Sequence, residues 1–254
     1  MPINFKKKAE IRLKKAPLHE VICQVKFSPI LSIAREVPVE FQELVRFRFP
    51  GYEALQNFVF QIPGAGSTEN ALVDLPPKSH HFKASDELSF ISLAADSVAL
   101  STKDYEHWSS FVKDLQIAEN ATLQVYKPPT ATRIGLRFIN RFTKKNTGCS
   151  TTQELLSLFR NELTCLVRAE PWTEPKELFT QLILTDGKAK LAIRTGFGKD
   201  RETAFILDFD YYEEEGELSL QQLDDRVNRY HDRIYAAFRW CVNEESLARF
   251  DPVP

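Results

Sequence analysis

The pattern of apolar and polar positions predicts two halves with a similar order of elements. In the first half, alternation over 18–28 predicts a strand, and apolar residues three or four apart over about 38–48 predict a short helix. Further short strands are predicted over 57–62, 81–85, 88–94 and 97–102. A long loop rich in glycine and proline, 63–79, interrupts them. A long amphipathic helix is predicted from Asp104, and the proline pair at 128–129 ends it.

The second half begins with a predicted strand over 132–142, followed by a helix over about 151–166. Three more strands are predicted over 177–185, 189–195 and 203–212. The dipeptide Asp186-Gly187 is typical of a tight hairpin between the first two. Ser219 is predicted to cap a final long helix with one apolar face. The chain therefore divides into an arm, 1–17, and two halves, 18–128 and 129–254, which form one continuous domain.

This order predicts an α+β fold. Each half is predicted to contain a strand, a short helix, three or four antiparallel strands and a long helix. The two halves together thus form a tandem pseudo-repeat. Such elements bury their apolar surfaces best as one antiparallel sheet with the helices on one face. We expect a single curved, saddle-like antiparallel sheet with two long helices packed on it.

Charge is balanced over the chain but not along it. The 254 residues include 33 basic and 35 acidic residues, for a net charge of -2, which argues against a protein-wide field for nucleic acid. The arm, in contrast, carries six basic residues, Lys6, Lys7 and Lys8 among them, against Glu10 alone. Two interpretations stay open: the arm contacts phosphates or an acidic partner, or it is a solubilising tail.

Cysteine usage and hydropathy bear on the compartment. The four cysteines have no CxxC spacing, and free cysteines in apolar patterns suit a reducing environment. No apolar run approaches the length of a membrane span, and no secretory signal is evident at the N-terminus. We therefore expect a cytoplasmic protein that does not enter a membrane.

Two segments resemble a sporadically distributed, functionally uncharacterised bacterial family of similar length. The segment 17–27 (PLHEVICQVKF) resembles the family's opening strand, and 133–141 (RIGLRFINR) resembles its central motif. The resemblance implies a shared fold and no established activity. Members often lie near mobile or antiviral loci, so the resemblance implies an accessory role in prokaryotic defence, including CRISPR-linked systems.

The central strand carries the most notable polar pattern. Arg133, Arg137 and Arg141 recur at four-residue steps and therefore share one face of the strand. Arginine suits bidentate recognition of carboxylate or phosphate. Asn140 points to the opposite face in a regular strand, and only a bulge would bring it to the arginines.

Three residues of the following strands are candidates for the same face. Asp208 and Asp210 alternate with apolar residues, and Arg194 lies on the preceding strand. One interpretation is cross-strand Arg–Asp pairing on a solvated face. The other is a binding site for a ligand or an anionic partner.

No catalytic constellation is evident. The five histidines lack metal-ligand spacing, and His80-His81 reads as a loop position without a ligand role. There is no nucleophile elbow, and the glycine pairs at 64–66 and 196–198 read as turns. No cofactor is predicted.

The main hypothesis is a non-catalytic interaction protein that presents a sheet face or the 63–79 loop to a protein partner. The alternative is nucleic-acid or nucleotide binding through the arginine strand and the Lys6–Lys8 arm. A third hypothesis is an enzyme whose site forms between the halves. The sequence leaves the oligomeric state open.

Overall fold

A computed structural model describes residues 3–55, 79–169, 176–199, 202–214 and 216–253. Its strands, in chain order, are β1 (Arg12–Leu13), β2 (Leu18–Phe27), β3 (Gly51–Leu55), β4 (Ser79–Lys83), β5 (Ser89–Ala94), β6 (Ser97–Thr102), β7 (Ala131–Thr143), β8 (Glu177–Asp186), β9 (Ala189–Lys199), β10 (Thr203–Glu213) and β11 (Pro252–Val253). Its helices are α1 (Leu31–Arg35), α2 (Val39–Val45), α3 (Trp108–Val125), α4 (Lys144–Thr147), α5 (Thr152–Leu156), α6 (Asn161–Thr164) and α7 (Leu223–Cys241), with 3₁₀ turns at Leu220–Gln222 and Glu244–Phe250.

Nine of the strands form one antiparallel sheet in the order β3-β4-β5-β6-β2-β7-β10-β9-β8. The two central strands, β2 and β7, pair with Val21 opposite Phe138. All first-half strands therefore lie on one side of this pair and all second-half strands of the sheet on the other. The predicted α+β class with one large antiparallel sheet and two packed long helices is confirmed, while internal duplication stays a prediction.

The apolar core lies between one face of the sheet and helices α3 and α7. Because successive side chains of a strand point to opposite faces, alternate residues such as Val21 and Cys23 of β2 are fully buried on the helix side. Phe205, Leu207 and Phe209 of β10 are buried there as well. Burial of each such aromatic or leucine side chain contributes roughly 1.5–3 kcal/mol.

The two long helices contact each other as well as the sheet. Trp108 donates a hydrogen bond to Asn228 and Gln116 donates one to Asp224, both at 2.6 Å. Both helices thus cover the same sheet face. We call the opposite face, which carries the arginine side chains of β7, the polar face.

The predicted helix over 151–166 is wrong. The structure has α5 and α6 there, separated by buried Leu158 and Phe159. Phe159 forms a β-bridge with Val242 and packs against Phe205 at 4.3 Å between ring centroids. These long-range contacts, which the local spacing does not reveal, outweigh helix propensity at this point.

Several boundaries also differ from the predictions. Helix α3 begins at Trp108 rather than Asp104, and Ser219 makes no capping hydrogen bond, because a 3₁₀ turn precedes α7. The glycines at 196 and 198, predicted as a turn, lie inside β9. Long cross-strand ladders to β8 and β10 hold them extended.

Two first-half predictions involve the region around β3 and β4. The predicted strand 57–62 lies outside the described residues, as does the 63–79 loop apart from Ser79, and the strand described nearby is β3. His80 and His81, predicted in a loop, are buried in β4. His80 is fixed by hydrogen bonds of 3.0 Å with Tyr52 and with the carbonyl of Ile33.

The basic arm is docked on the molecule and is not a free tail, while its solubilising role stays a prediction. Its strand β1 pairs with β11 near the opposite end of the chain, with Arg12 opposite Val253. The backbone amide of Ile11 donates to the hydroxyl of Tyr235 on α7 at 2.9 Å. Hydrogen bonds that the pattern of charges cannot reveal therefore dock the arm against α7.

No helix in the described parts of the chain combines the length and the apolar character that a membrane crossing requires.

Candidate functional site

An arginine–aspartate network occupies the polar face where β7, β9 and β10 meet. Arg137 donates two hydrogen bonds of 2.7 Å to the two carboxylate oxygens of Asp208. Only 4% of the Asp208 side chain and 16% of that of Arg137 are exposed. Burial alone would lower the pKa of Arg137, but the hydrogen bonds and charge of Asp208 outweigh it and raise that pKa.

A second pair involves Arg133, whose guanidinium contacts both carboxylate oxygens of Asp210 at 3.1 Å. The same guanidinium lies over the ring of Tyr212, 4.6 Å from its centroid, and reaches Gln24 at 3.4 Å. Gly135 makes this position available, since a Cβ atom there would lie 2.5 Å from the guanidinium. The glycine of the central motif therefore has a packing role.

Arg194 joins the two pairs. It is directly opposite Asp208 in the register and lies 3.4 Å from that carboxylate and 3.7 Å from the carboxylate of Asp210. Its Nε donates to Gln181 of β8 at 2.8 Å. Burial raises the pKa of Asp210, and the neighbouring guanidinium groups, Arg133 first, oppose that effect.

The remaining candidates lie outside this network. Arg141 shares the face but pairs with Glu202 at 2.8 Å, and both side chains are considerably more exposed. In the arm, Lys7 pairs with Asp232 at 2.9 Å and Lys8 with Glu244 at 3.4 Å. The structure therefore brings together five of the nine candidates: Arg133, Arg137, Arg194, Asp208 and Asp210. Lys6, Lys7 and Lys8 lie on the helix side of the molecule.

The charged side chains of this network are occupied by one another and are not free to act on a substrate or a ligand. Three arginines and two aspartates satisfy one another, which leaves one formal positive charge. Desolvation offsets much of the attraction in buried ion pairs of this kind, so their presence alone is weak evidence for added stability. The cross-strand interpretation describes these contacts, although the pairing is buried rather than solvated.

A cavity of about 370 Å³ lies on the helix side, between the arm, the start of α3, α7 and the sheet. Phe138 and Phe209 line its sheet wall, and Ile234 and Phe238 belong to its α7 wall. Residues Glu10 to Leu13 and Ala16 to Leu18 supply the wall formed by the arm.

Two polar side chains line this cavity although each is more than nine-tenths buried. Asn140 is 5% exposed and donates to the carbonyl of Leu207 at 3.2 Å. His231 is 7% exposed and stacks on Trp108 with 4.3 Å between ring centroids. Its Nε2 lies 3.9 Å from a carboxylate oxygen of Glu10. Asn140 thus points away from the arginines, as predicted from the strand alternation.

Sequence reasoning missed this cavity as a site. Its walls come from segments far apart in the chain, and their proximity cannot be seen from local spacing. A signal was present all the same. His231 lies four residues after Val227 and three before Ile234, on the apolar face of α7, and Asn140 is the polar residue on the helix side of β7.

A different surface lies at the β8 edge of the sheet. Strand β8 pairs with β9 on one side, and no described strand pairs with its other side. Phe179, Leu182 and Ile183 are 39%, 54% and 50% exposed. The register places Leu182 on the helix side and the other two on the polar face, so apolar side chains are exposed on both faces of this edge.

Comparisons with known proteins add no assignment. The chain matches no protein-family model and no curated protein sequence. The resemblance to the sporadically distributed bacterial family therefore stays a prediction. In the described ranges, no group of three or more His, Cys, Asp or Glu side chains is arranged to hold a metal ion.

Proposed function

We propose that this chain is a non-catalytic interaction protein that binds an extended segment of a protein partner along β8. The observation that carries the proposal is the exposed apolar character of this edge strand. An unpaired strand edge presents a row of backbone donors and acceptors to which another strand can add.

The composition of β8 supports this use. Soluble proteins commonly protect sheet edges with lysine, proline, bulges or very short strands. Strand β8 is 10 residues long, and the eight residues between Glu177 and Asp186 carry neither a charge nor a proline. Its ladder to β9 runs without a register shift. The edge therefore lacks the usual features that prevent strand addition.

The chemistry of the edge indicates the class of partner. Exposed apolar residues on both faces favour a partner strand with apolar side chains on both faces, rather than an alternating amphipathic one. The absence of charge between the strand ends disfavours a highly charged segment. From the family resemblance we further propose that this interaction belongs to a prokaryotic antiviral defence complex, including CRISPR-linked systems, or to a regulatory complex.

The test is co-expression with the proteins encoded beside this one, followed by native mass measurement. We expect a complex heavier than the 29.2 kDa chain alone. Ile183→Lys should abolish it, because an edge lysine opposes strand addition. Phe47→Lys is the matched control, since Phe47 is 75% exposed and lies outside any strand.

Three outcomes would contradict the proposal. A monomer in every combination would leave the edge without a partner. Equal loss of the complex in both variants would show that the effect of Ile183→Lys is not specific to β8. A homodimer sensitive to Ile183→Lys would replace the partner protein by a second copy of the chain.

Nucleic-acid or nucleotide binding through Arg133, Arg137 and Arg141 is the alternative. The first two would have to exchange buried carboxylate partners for phosphate, and Arg141 would have to leave Glu202. These ion pairs favour the protein-interaction proposal.

A further inference from the structure

The cavity beneath the arm contains hydrogen-bonding atoms without partners. Asn140 uses its amide nitrogen on the carbonyl of Leu207, while its side-chain oxygen accepts no hydrogen bond from the described residues. Neither ring nitrogen of His231 makes a hydrogen bond within them; the contact with Glu10 is 3.9 Å long. The hydroxyl of Tyr105, which also lines the cavity, has no partner there either.

These atoms face the open cavity, since none of them is among the fully enclosed polar atoms of the described residues that lack a partner. Polar groups in such a position are satisfied by ordered water or by a bound molecule. Three polar groups around one cavity therefore point to a ligand, or to water, that completes their hydrogen bonds. The surrounding wall of Phe138, Phe209 and Phe238 favours an apolar ligand body.

The side chains of His231 and Tyr105 in the cavity are uncharged at neutral pH. Burial lowers the pKa of His231 to about 4, against an opposing effect of Asp232, so its imidazole is neutral and offers one donor and one acceptor. Burial likewise raises the pKa of Tyr105, which stays a phenol. The charged lining residues, Glu10, Arg12 and Glu106, are solvent-exposed.

We propose that this cavity binds a small, uncharged aromatic molecule with hydrogen-bond donor and acceptor groups. Its aromatic body would pack between the phenylalanine side chains of the sheet and α7. Its polar edge would complete the hydrogen bonds of Asn140, His231 and Tyr105. This site is independent of the β8 edge, which lies on the far border of the sheet.

The size of the cavity suits a bicyclic aromatic molecule. An engineered apolar cavity of roughly 150 Å³ holds one benzene ring. At about 370 Å³, the present cavity exceeds that volume more than twofold. It also falls near the lower end of the range usual for small-molecule sites.

The experiment uses three indole probes that differ in charge: neutral indole-3-carboxamide, anionic indole-3-carboxylate and cationic tryptamine. Each is titrated into the full chain and followed by amide and methyl NMR shifts. We expect the carboxamide to bind with a dissociation constant of about 1 mM or tighter. The largest shifts should occur at Ile11 and Ile234, and the two ions should bind at least about tenfold more weakly.

Variants on opposite walls locate the site. His231→Phe keeps the stack on Trp108 but removes the hydrogen bonds, and should weaken carboxamide binding about tenfold. Ala16→Trp fills the cavity from the exposed arm and should abolish binding. Arg229→Ala, on the exposed side of α7, is the control and should bind as the unmodified chain does.

The three probes test the proposal on the unmodified chain, so the test does not depend on whether a variant folds. Absence of carboxamide binding at 10 mM probe (about ten times the expected constant) would overturn the proposal. Equal binding of the charged probes would overturn the chemical class. Unchanged binding by folded Ala16→Trp would place the molecule elsewhere.

Discussion

Arg137 donates to both carboxylate oxygens of Asp208, although the residue directly opposite Arg137 in the register is Asp210. The arginine reaches along the sheet to the next aspartate on its face. Arg133 in turn contacts Asp210, the residue opposite Arg137. Arg194 approaches both carboxylates. The ladder alone therefore does not specify the pairing; the length of the arginine side chain does.

Removing the charge of Asp208 should destabilise the protein. Asp208→Asn leaves Arg137 and Arg194 buried without their shared carboxylate, and breaking a buried pair in this way costs about 3 kcal/mol. Urea unfolding monitored by circular dichroism measures the change. Glu202→Gln, which removes the exposed partner of Arg141, is the control and should change stability by less than about 1 kcal/mol. An equal loss of unfolding free energy in the two variants would contradict the larger contribution assigned to the buried pair.

Gly135 and Gly196, both on the polar face, should respond differently to a methyl group. Gly135→Ala displaces the guanidinium of Arg133 and should cost about 1–2 kcal/mol through loss of its contacts with Asp210. Gly196→Ala places its Cβ 3.5 Å from Ile206, an ordinary contact, and should be neutral or stabilising. Thermal unfolding of both variants tests this contrast. Equal destabilisation would contradict the role assigned to Gly135.

The interface between α3 and α7 predicts a pH-dependent stability. Burial, with a further contribution from Asp224, raises the pKa of Glu119 from 4.5 to about 7. The folded state therefore holds a proton on Glu119 that the unfolded chain releases, so the contribution of Glu119 to stability is lost as pH rises from about 4.5 through 7. Because Glu119 is only half-buried, solvent screening reduces the effect to about 1 kcal/mol.

Glu119→Gln should accordingly stabilise the protein at pH 8 and leave it nearly unchanged at pH 4. Free energies of unfolding at the two pH values give the comparison. Glu217→Gln, at an exposed position, should show no such difference. A stabilisation that is equal at both pH values would contradict the assigned ionisation.

Docking of the arm should depend on one hydroxyl group. The hydroxyl of Tyr235 accepts from the amide of Ile11 and from Arg239, and donates to the carbonyl of Ala9. Tyr235→Phe should increase hydrogen exchange at Ile11 several-fold, because loss of this partly buried hydrogen bond costs about 1 kcal/mol. Tyr212→Phe, on the opposite face of the sheet, should leave the exchange of the arm unchanged.

The arginine strand should bind nucleic acid weakly. Its guanidinium groups already contact carboxylates, so phosphate contacts would release few counterions. For a single-stranded oligonucleotide at low salt, we expect a dissociation constant weaker than about 100 µM, measured by fluorescence anisotropy. Tight binding that falls steeply with salt and is lost in Arg137→Ala would instead support the alternative function.

The sequence predicted those features that depend on local periodicity. The strands predicted at 132–142 and 203–212 agree with the observed strands to within one residue at each end. A long two-residue alternation of apolar and polar residues is a local signal of a strand with one buried face. The face shared by Arg133, Arg137 and Arg141 followed from the same alternation. Failures occurred where distant segments decide the structure. The break at Phe159 depends on Val242, and the docked arm depends on Tyr235.

The cavity was missed for the same reason. Its polar groups, Asn140 and His231, come from β7 and α7, and only the folded chain places them around one space. The β8 edge could not be identified either, since strand order is not encoded in any single strand. A single polar residue within an apolar face was the local sign of the cavity.

The pairing of β1 with β11 holds Arg12 beside Val253. A designed linker from the end of β11 to the start of the arm would join the two segments, and new ends could then be opened at an exposed turn such as Gly187-Lys188. Circular permutation of this kind is tolerated where ends lie close together. In such a permutant the arm would be tethered on both sides, so the wall that it contributes to the cavity would be anchored covalently as well as by hydrogen bonds.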